Sequence, residues 1–215
     1  MEELTLVQRF AVWVLPVLFA ITLHEVAHGW VAKMLGDRTA ERMGRLSLNP
    51  IHHIDPIGTL LVPALLMVLG GFIFGWAKPV PVDFGKLRHP RRDTVLVAVA
   101  GPTANLLMAL GWALITRLAH AIDTPFVTVP LSLMSVAGIV INLVLMLLNL
   151  LPIPPLDGGR IAAGLLPPRA ADKFNQIEPY GFMILLLLMV TGGLSSILAL
   201  PLQIMQQLMF GVAGL

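Results

Sequence analysis

The 215-residue chain is 57% hydrophobic and 12% charged, where soluble domains average about 45–50% and about 25%, so it reads as a protein of the bilayer. It has no cysteine, which excludes a disulfide framework, a thiolate zinc cluster and a cysteine nucleophile. The net charge of +2 comes from basic residues scattered through loops without a stacking platform, which suits charges that set membrane orientation and argues against nucleic acid as a partner.

Residues 1–9 carry two glutamates and one arginine. They lack the basic start of a signal peptide, and no small-residue cleavage site precedes His24, so the first span is expected to be retained. A helix is expected over about residues 5–35, ending at Gly36. Residues 10–23 contain no charge, and the helix then carries His24-Glu25-Val26-Ala27-His28. Residues four apart share one face of a helix, so the imidazoles of His24 and His28 can grip one metal ion while Glu25, about 100° round, flanks its open side. Zinc needs two or three nitrogen or oxygen ligands plus an open position for water, and a carboxylate that does not ligate must take the water's proton. This helix is apolar on every face, which marks a membrane span, and ionisable groups inside a span are costly enough that function is the default reading. The fourteen residues from 10 to 23 cover about 21 Å of a ~30 Å hydrocarbon core, which puts the site about a third of the way in from the face where the helix exits.

A polar, turn-rich stretch follows, in which residues 42–48 partly alternate like a short strand. Residues 57–76 are apolar but broken by Pro63 and Gly70-Gly71. Residues 78–84 (KPVPVDF) suit an edge strand or an extended segment, because proline cannot donate to a ladder. After a basic patch at Lys86, Arg88, Arg91 and Arg92, a span is expected over 94–118, with Ala100-Gly101-Pro102 and Asn105 inside it. A linker at 119–130 leads to a span over 131–151, which runs into NLLPIPPLDGGR at 149–160. The last span is expected over 180–200, and the uncharged tail behind it, with two adjacent Gln, could lie flat at the interface.

Two histidines and a water leave zinc one ligand short. Asp157 follows an apolar helix and a proline-rich break, and it precedes Gly158-Gly159, which let backbone approach closely. Alone it would read as a turn aspartate, and the histidine pair reverses that. His52 and His53 are rivals, in a loop that could fold back under the site. Asn105 and Asn149 are amides inside apolar helices. Each can bond a neighbouring helix or hold a substrate carbonyl.

HEVAHG on a first hydrophobic helix, AGPTAN on a middle one and NLLPIPPLDGG after a later one resemble the site-2 protease family, intramembrane zinc metalloproteases that cut transmembrane helices of other proteins. The match covers about residues 10–165. The resemblance implies one zinc per chain on His24, His28 and Asp157, Glu25 as catalytic base, and substrate binding by Asn149 and Asn105. It implies that zinc with Asn149 stabilises the oxyanion. The stretches RMGRLSLN and KPVPVDF resemble the family's membrane-edge β segment, which holds substrate as an added strand. A helical peptide bond is shielded and must be unwound before water attacks, and strand addition stabilises the extended form. The chain is expected to be a compact prokaryotic member without a PDZ or nucleotide-binding domain.

The expected architecture is an all-α polytopic membrane protein with about five transmembrane helices, a re-entrant or broken apolar segment at 57–76 and a small membrane-edge β segment. Residues 1–215 are expected to form one membrane-embedded peptidase domain, with the catalytic core at about 10–165 and a C-terminal span and tail at 180–215. The alternative function is a membrane zinc transporter or a non-catalytic zinc-binding membrane protein. A transporter would want ligands along a path through the bilayer and has no use for a non-ligating carboxylate beside them. Transmembrane protein substrates and the lipid bilayer are the expected partners.

Topology follows from the zinc site. His24 and Asp157 must reach one ion, so the first helix ends on the side from which Asp157 emerges. A full crossing by 57–76 would deliver Asp157 to the opposite face. If the segment enters and returns, Lys33, Arg38, Arg42, Arg45, Lys78, Lys86, Arg88, Arg91, Arg92, Arg160, Arg169 and Lys173 share one side. Only Arg9 and Arg117 of the 14 basic residues then lie opposite, which predicts a cytoplasmic-membrane protein with an external N-terminus and a zinc site toward the cytoplasm.

Overall fold

A computed structural model describes residues 5–61, 78–122 and 124–215. Helix α1 (Leu6–Met34) starts at a reciprocal cap. The Thr5 hydroxyl accepts from the Gln8 N–H at 3.3 Å, and Gln8 Oε1 accepts from the Thr5 N–H at 2.9 Å, so two otherwise orphaned donors are satisfied. After the short helix α2 (Thr39–Arg42) come single turns at Pro50–His53 and Pro56–Leu61. The chain is described again from Lys78 and enters α3 (Pro90–Ile122), then α4 (Pro125–Asn149). Shorter helices α5 (Asp157–Leu165), α6 (Pro168–Asn175) and α7 (Glu178–Val190) precede the last, α8 (Gly193–Ala213).

Helices α1, α3 and α4 pack on one another, and α8 closes against α3 and α4. The buried centre pairs Ala109 and Ala113 of α3 with Ile139 and Leu143 of α4, since small side chains on one helix let the backbones approach. Phe10, Leu107, Leu118 and Phe126 are instead exposed on the outer faces. That distribution would favour association in water, but it matches a lipid solvent. Helices α1 (from Val7), α3, α4 and α8 are long and apolar enough to cross a membrane.

Several expectations are corrected. The span expected at 180–200 is two helices: Gly192 takes φ +73°, a left-handed conformation open to glycine, and divides α7 from α8. At 13 residues, α7 is about 20 Å long, short of a ~30 Å core. The tail forms the second half of α8, with Ala213 in the α3–α4 core and Met205 and Met209 packed against it. The linker expected at 119–130 is instead largely helical: residues 119–122 end α3 and Pro125 takes the first turn of α4, where a missing N–H is harmless. Among the described residues no strand forms at 42–48 or 78–84. The two stretches meet through a side chain, Arg45 Nη2 donating to the carbonyls of Lys78 at 3.0 Å and Pro79 at 3.3 Å. Most of the apolar block 57–76, with its re-entrant reading, lies outside the described residues. Its flanks sit together, the Lys78 N–H donating to the His53 carbonyl at 2.9 Å.

Candidate metal centre

The site forms where α3 crosses the end of α1 that carries the histidines. His24 Nε2 and His28 Nε2 lie 3.1 Å apart, and each is 3.3 Å from Asp157 Oδ2. Edges of a tetrahedron around zinc with bonds of about 2.0–2.1 Å measure about 3.3–3.4 Å, so the triangle is nearly one face of such a polyhedron. Glu25 is not among the three residues whose ligand atoms converge.

Hydrogen bonds fix which nitrogens face the centre. His28 Nδ1 lies 2.7 Å from the Val97 carbonyl, which can only accept, so Nδ1 carries the proton and Nε2 a lone pair. Asn105 Nδ2 donates to the Ala20 carbonyl at 3.2 Å and to Asn142 Oδ1 at 2.9 Å. Its Oδ1 is thereby turned to His24 Nδ1, which donates. Both Nε2 lone pairs therefore point at a carboxylate oxygen that is buried without a hydrogen-bond partner. Three mutually repelling acceptors in a buried site fit a cation between them.

Each ligand is placed by a local feature. The histidines are one turn apart on α1. Asp157 opens α5, whose position against α3 is pinned by Arg91 Nε donating to the Gly164 carbonyl at 3.1 Å. Gly101 gives α3 its clearance, since a Cβ there would meet His24 Nε2 at 2.6 Å and come closer still to His28. Glu25 is half-buried, and its Oε2 accepts from the backbone N–H of Val80 at 2.7 Å. Asn149 turns its amide back, Nδ2 donating to the Leu145 carbonyl at 3.0 Å. Asn105 is fully buried behind His24. His53 is also buried, and its Nε2 pairs with the Ser47 carbonyl at 2.8 Å rather than joining the cluster.

Sequence reasoning missed Asn142, Gly101 and the Val80 amide. Asn142 carried the same signal as Asn105 and Asn149, an amide within an apolar helix. A contact made by a backbone N–H leaves no mark on residue type, so Val80 had none.

A family model described as "Peptidase family M50" matches residues 118–191, a stretch that includes Asn149 and Asp157. The chain is 44% identical over 181 residues to the "Putative zinc metalloprotease YwhC" of Bacillus subtilis, covering 83% of this chain and 80% of that one. It is also similar to two proteins named "Putative zinc metalloprotease Rip2". That of Mycolicibacterium smegmatis is 32% identical over 179 residues and that of Mycobacterium tuberculosis 31% over 183. Each of those alignments covers 83% of this chain and 66% of the relative. No solved structure matches the chain significantly.

Proposed function

The chain belongs to peptidase family M50, the site-2 proteases, and from that premise we propose that it hydrolyses peptide bonds in or near transmembrane segments of other membrane proteins. The observation that carries the reading is the triangle of His24 Nε2, His28 Nε2 and Asp157 Oδ2, with Glu25 beside it and outside it. Those three atoms would hold a zinc ion, which would supply a Lewis acid and a bound water of pKa lowered toward about 7.

The chain's own residues do the rest. Glu25 accepts the water's proton at its carboxylate and later hands it to the leaving amine. Asn105 keeps the His24 Nδ1–H in place, and buried as it is we assign it to orientation of that ring, while Asn149 is left to receive the substrate carbonyl by releasing Leu145. The 78–84 segment borders Glu25 and holds an unwound substrate alongside it. Among the described residues the ligating side chains form one cluster rather than a series along a path, which suits hydrolysis better than transport.

We further infer an external N-terminus and a site toward the cytoplasm. The Arg88 N–H donates to the Leu35 carbonyl at 3.0 Å, so the end of α1 and the approach to α3 share a face, as an entering and returning 57–76 segment requires. Purified protein assayed for zinc per chain and for cleavage of single-span substrates in detergent tests the reading. One zinc with cleavage that Glu25→Gln abolishes supports it, and zinc without cleavage of any such substrate overturns it.

A further inference from the structure

The N–H of Val80 that meets Glu25 Oε2 at 2.7 Å is a singular donor by sequence. Pro79 and Pro81 flank it and have no N–H, so residues 79–81 offer the cleft one main-chain donor. Each proline also disfavours a helical conformation in the residue before it, which keeps Lys78 and Val80 extended. The segment is fastened on both sides. The Lys78 N–H donates to the His53 carbonyl at 2.9 Å and the Asp83 N–H to Asp37 Oδ2 at 2.7 Å. Arg45 holds the carbonyls of Lys78 and Pro79. Val80 itself is buried, and its side chain lies over Gly29, one turn beyond Glu25.

A rigid, directed N–H beside the ligand cluster is a receptor for a carbonyl oxygen, and in the peptide-free protein the oxygen it holds belongs to Glu25. We propose that the Val80 N–H is the main-chain anchor for an extended peptide, and that Glu25 occupies this subsite until a substrate carbonyl displaces it. The proposal rests on the peptidase reading and adds to it a subsite of stated chemistry, the backbone carbonyl of an unwound segment. Displacement frees the Glu25 carboxylate to turn to the water, so the base is released by the substrate's own backbone. A carboxylate is the stronger acceptor, and a peptide wins the exchange by making further contacts along the 78–84 segment. A helical substrate, whose carbonyls are bonded to its own amides, has no carbonyl to offer.

The test is made on metal-free protein, where nothing is cleaved. Binding of a fluorescein-labelled decapeptide of alternating alanine and threonine is read by anisotropy. Glu25→Ala, which vacates the subsite, is expected to bind it about 3- to 10-fold tighter than wild type. Glu25→Gln keeps an acceptor and is expected to gain less. Replacing the Val80 N–H by an ester oxygen, through the 2-hydroxy analogue of valine, cancels the gain of Glu25→Ala. Zinc uptake by each variant verifies folding. Equal or weaker binding in Glu25→Ala, a gain that survives the ester, or no measurable binding in any variant overturns the proposal. None of these outcomes bears on whether Glu25→Gln stops cleavage, which is the separate test of the peptidase reading.

Discussion

Asn105 Oδ1 lies 2.5 Å from His24 Nδ1, although the two residues are 81 apart in the chain. The bond holds the ring in the tautomer that leaves Nε2 for the metal, and Asn142 holds Asn105 in turn. Removing such a support weakens metal affinity by about 10- to 100-fold. Asn105→Ala is expected to fall in that range and Asn142→Ala to cost less, both measured by competition with a chromogenic chelator. Wild-type affinity in Asn105→Ala would show that the amide does not govern the ring.

Glu25→Gln and Asp157→Ala are expected to separate chemistry from metal binding. The first keeps zinc and loses cleavage, because an amide cannot accept the proton. The second loses zinc occupancy, because it leaves two protein ligands where catalytic sites have three. His53→Ala is expected to leave zinc content unchanged. Metal analysis of the three proteins decides, and full occupancy in Asp157→Ala with loss in His53→Ala would move the third ligand to His53.

Gly101→Ala tests the crossing of α1 and α3. The added methyl falls on the imidazoles, and overpacking of this kind costs about 1–3 kcal/mol. A lower melting temperature together with weaker zinc binding is the expected pair of effects. An unchanged melt would mean that the helices part freely there.

Asp37 gives the end of α1 a dependence on pH. Burial alone would raise its carboxyl pKa. Hydrogen bonds from the Thr39 hydroxyl and from the Asp83 and Thr39 N–H groups outweigh burial and hold it below the usual carboxylate range. A folded-state value below the unfolded one, about 3.9, means stability that is full above that pH and lost as pH falls through the folded value. Thermal melts in detergent from pH 7 to pH 3 are expected to show an acid limb that Asp37→Asn flattens. Parallel limbs in the two proteins would assign acid sensitivity elsewhere.

Orientation can be read by labelling, since the chain has no cysteine of its own. Single substitutions Arg42→Cys, Lys86→Cys and Arg169→Cys are expected to react from the cytoplasmic side and Ile122→Cys from the other. Reaction of position 86 from the side opposite to 42 and 169 would sink the entering-and-returning segment.

The features legible in the sequence are those that depend on local period. Four-residue spacing put His24 and His28 together, and long apolar runs marked α1, α3 and α4. The expected end of α1 lay one residue from its observed last residue, Met34, because Gly36 punctuates it. Residues 180–200 misled because hydropathy is blind to the left-handed turn at Gly192, and the packing of the tail on α3 and α4 left no sign because those helices lie far off in sequence. The convergence of Asp157 with the histidines needed an aspartate beyond a proline-rich break to be weighed against a local turn. Proline alternation at 79–81 marked an extended segment, yet nothing in it said that the amide between the prolines would meet Glu25.

His28 and Asp157 are separated by about 130 residues, so an ion shared between them ties the first helix to the fifth as a covalent cross-link would. Closing a loop of that length removes denatured-chain entropy worth about 5 kcal/mol in the cross-link description. In a chain without a thiol, an ion held there is the staple as well as the cofactor, a cross-link between distant segments that forms without covalent chemistry.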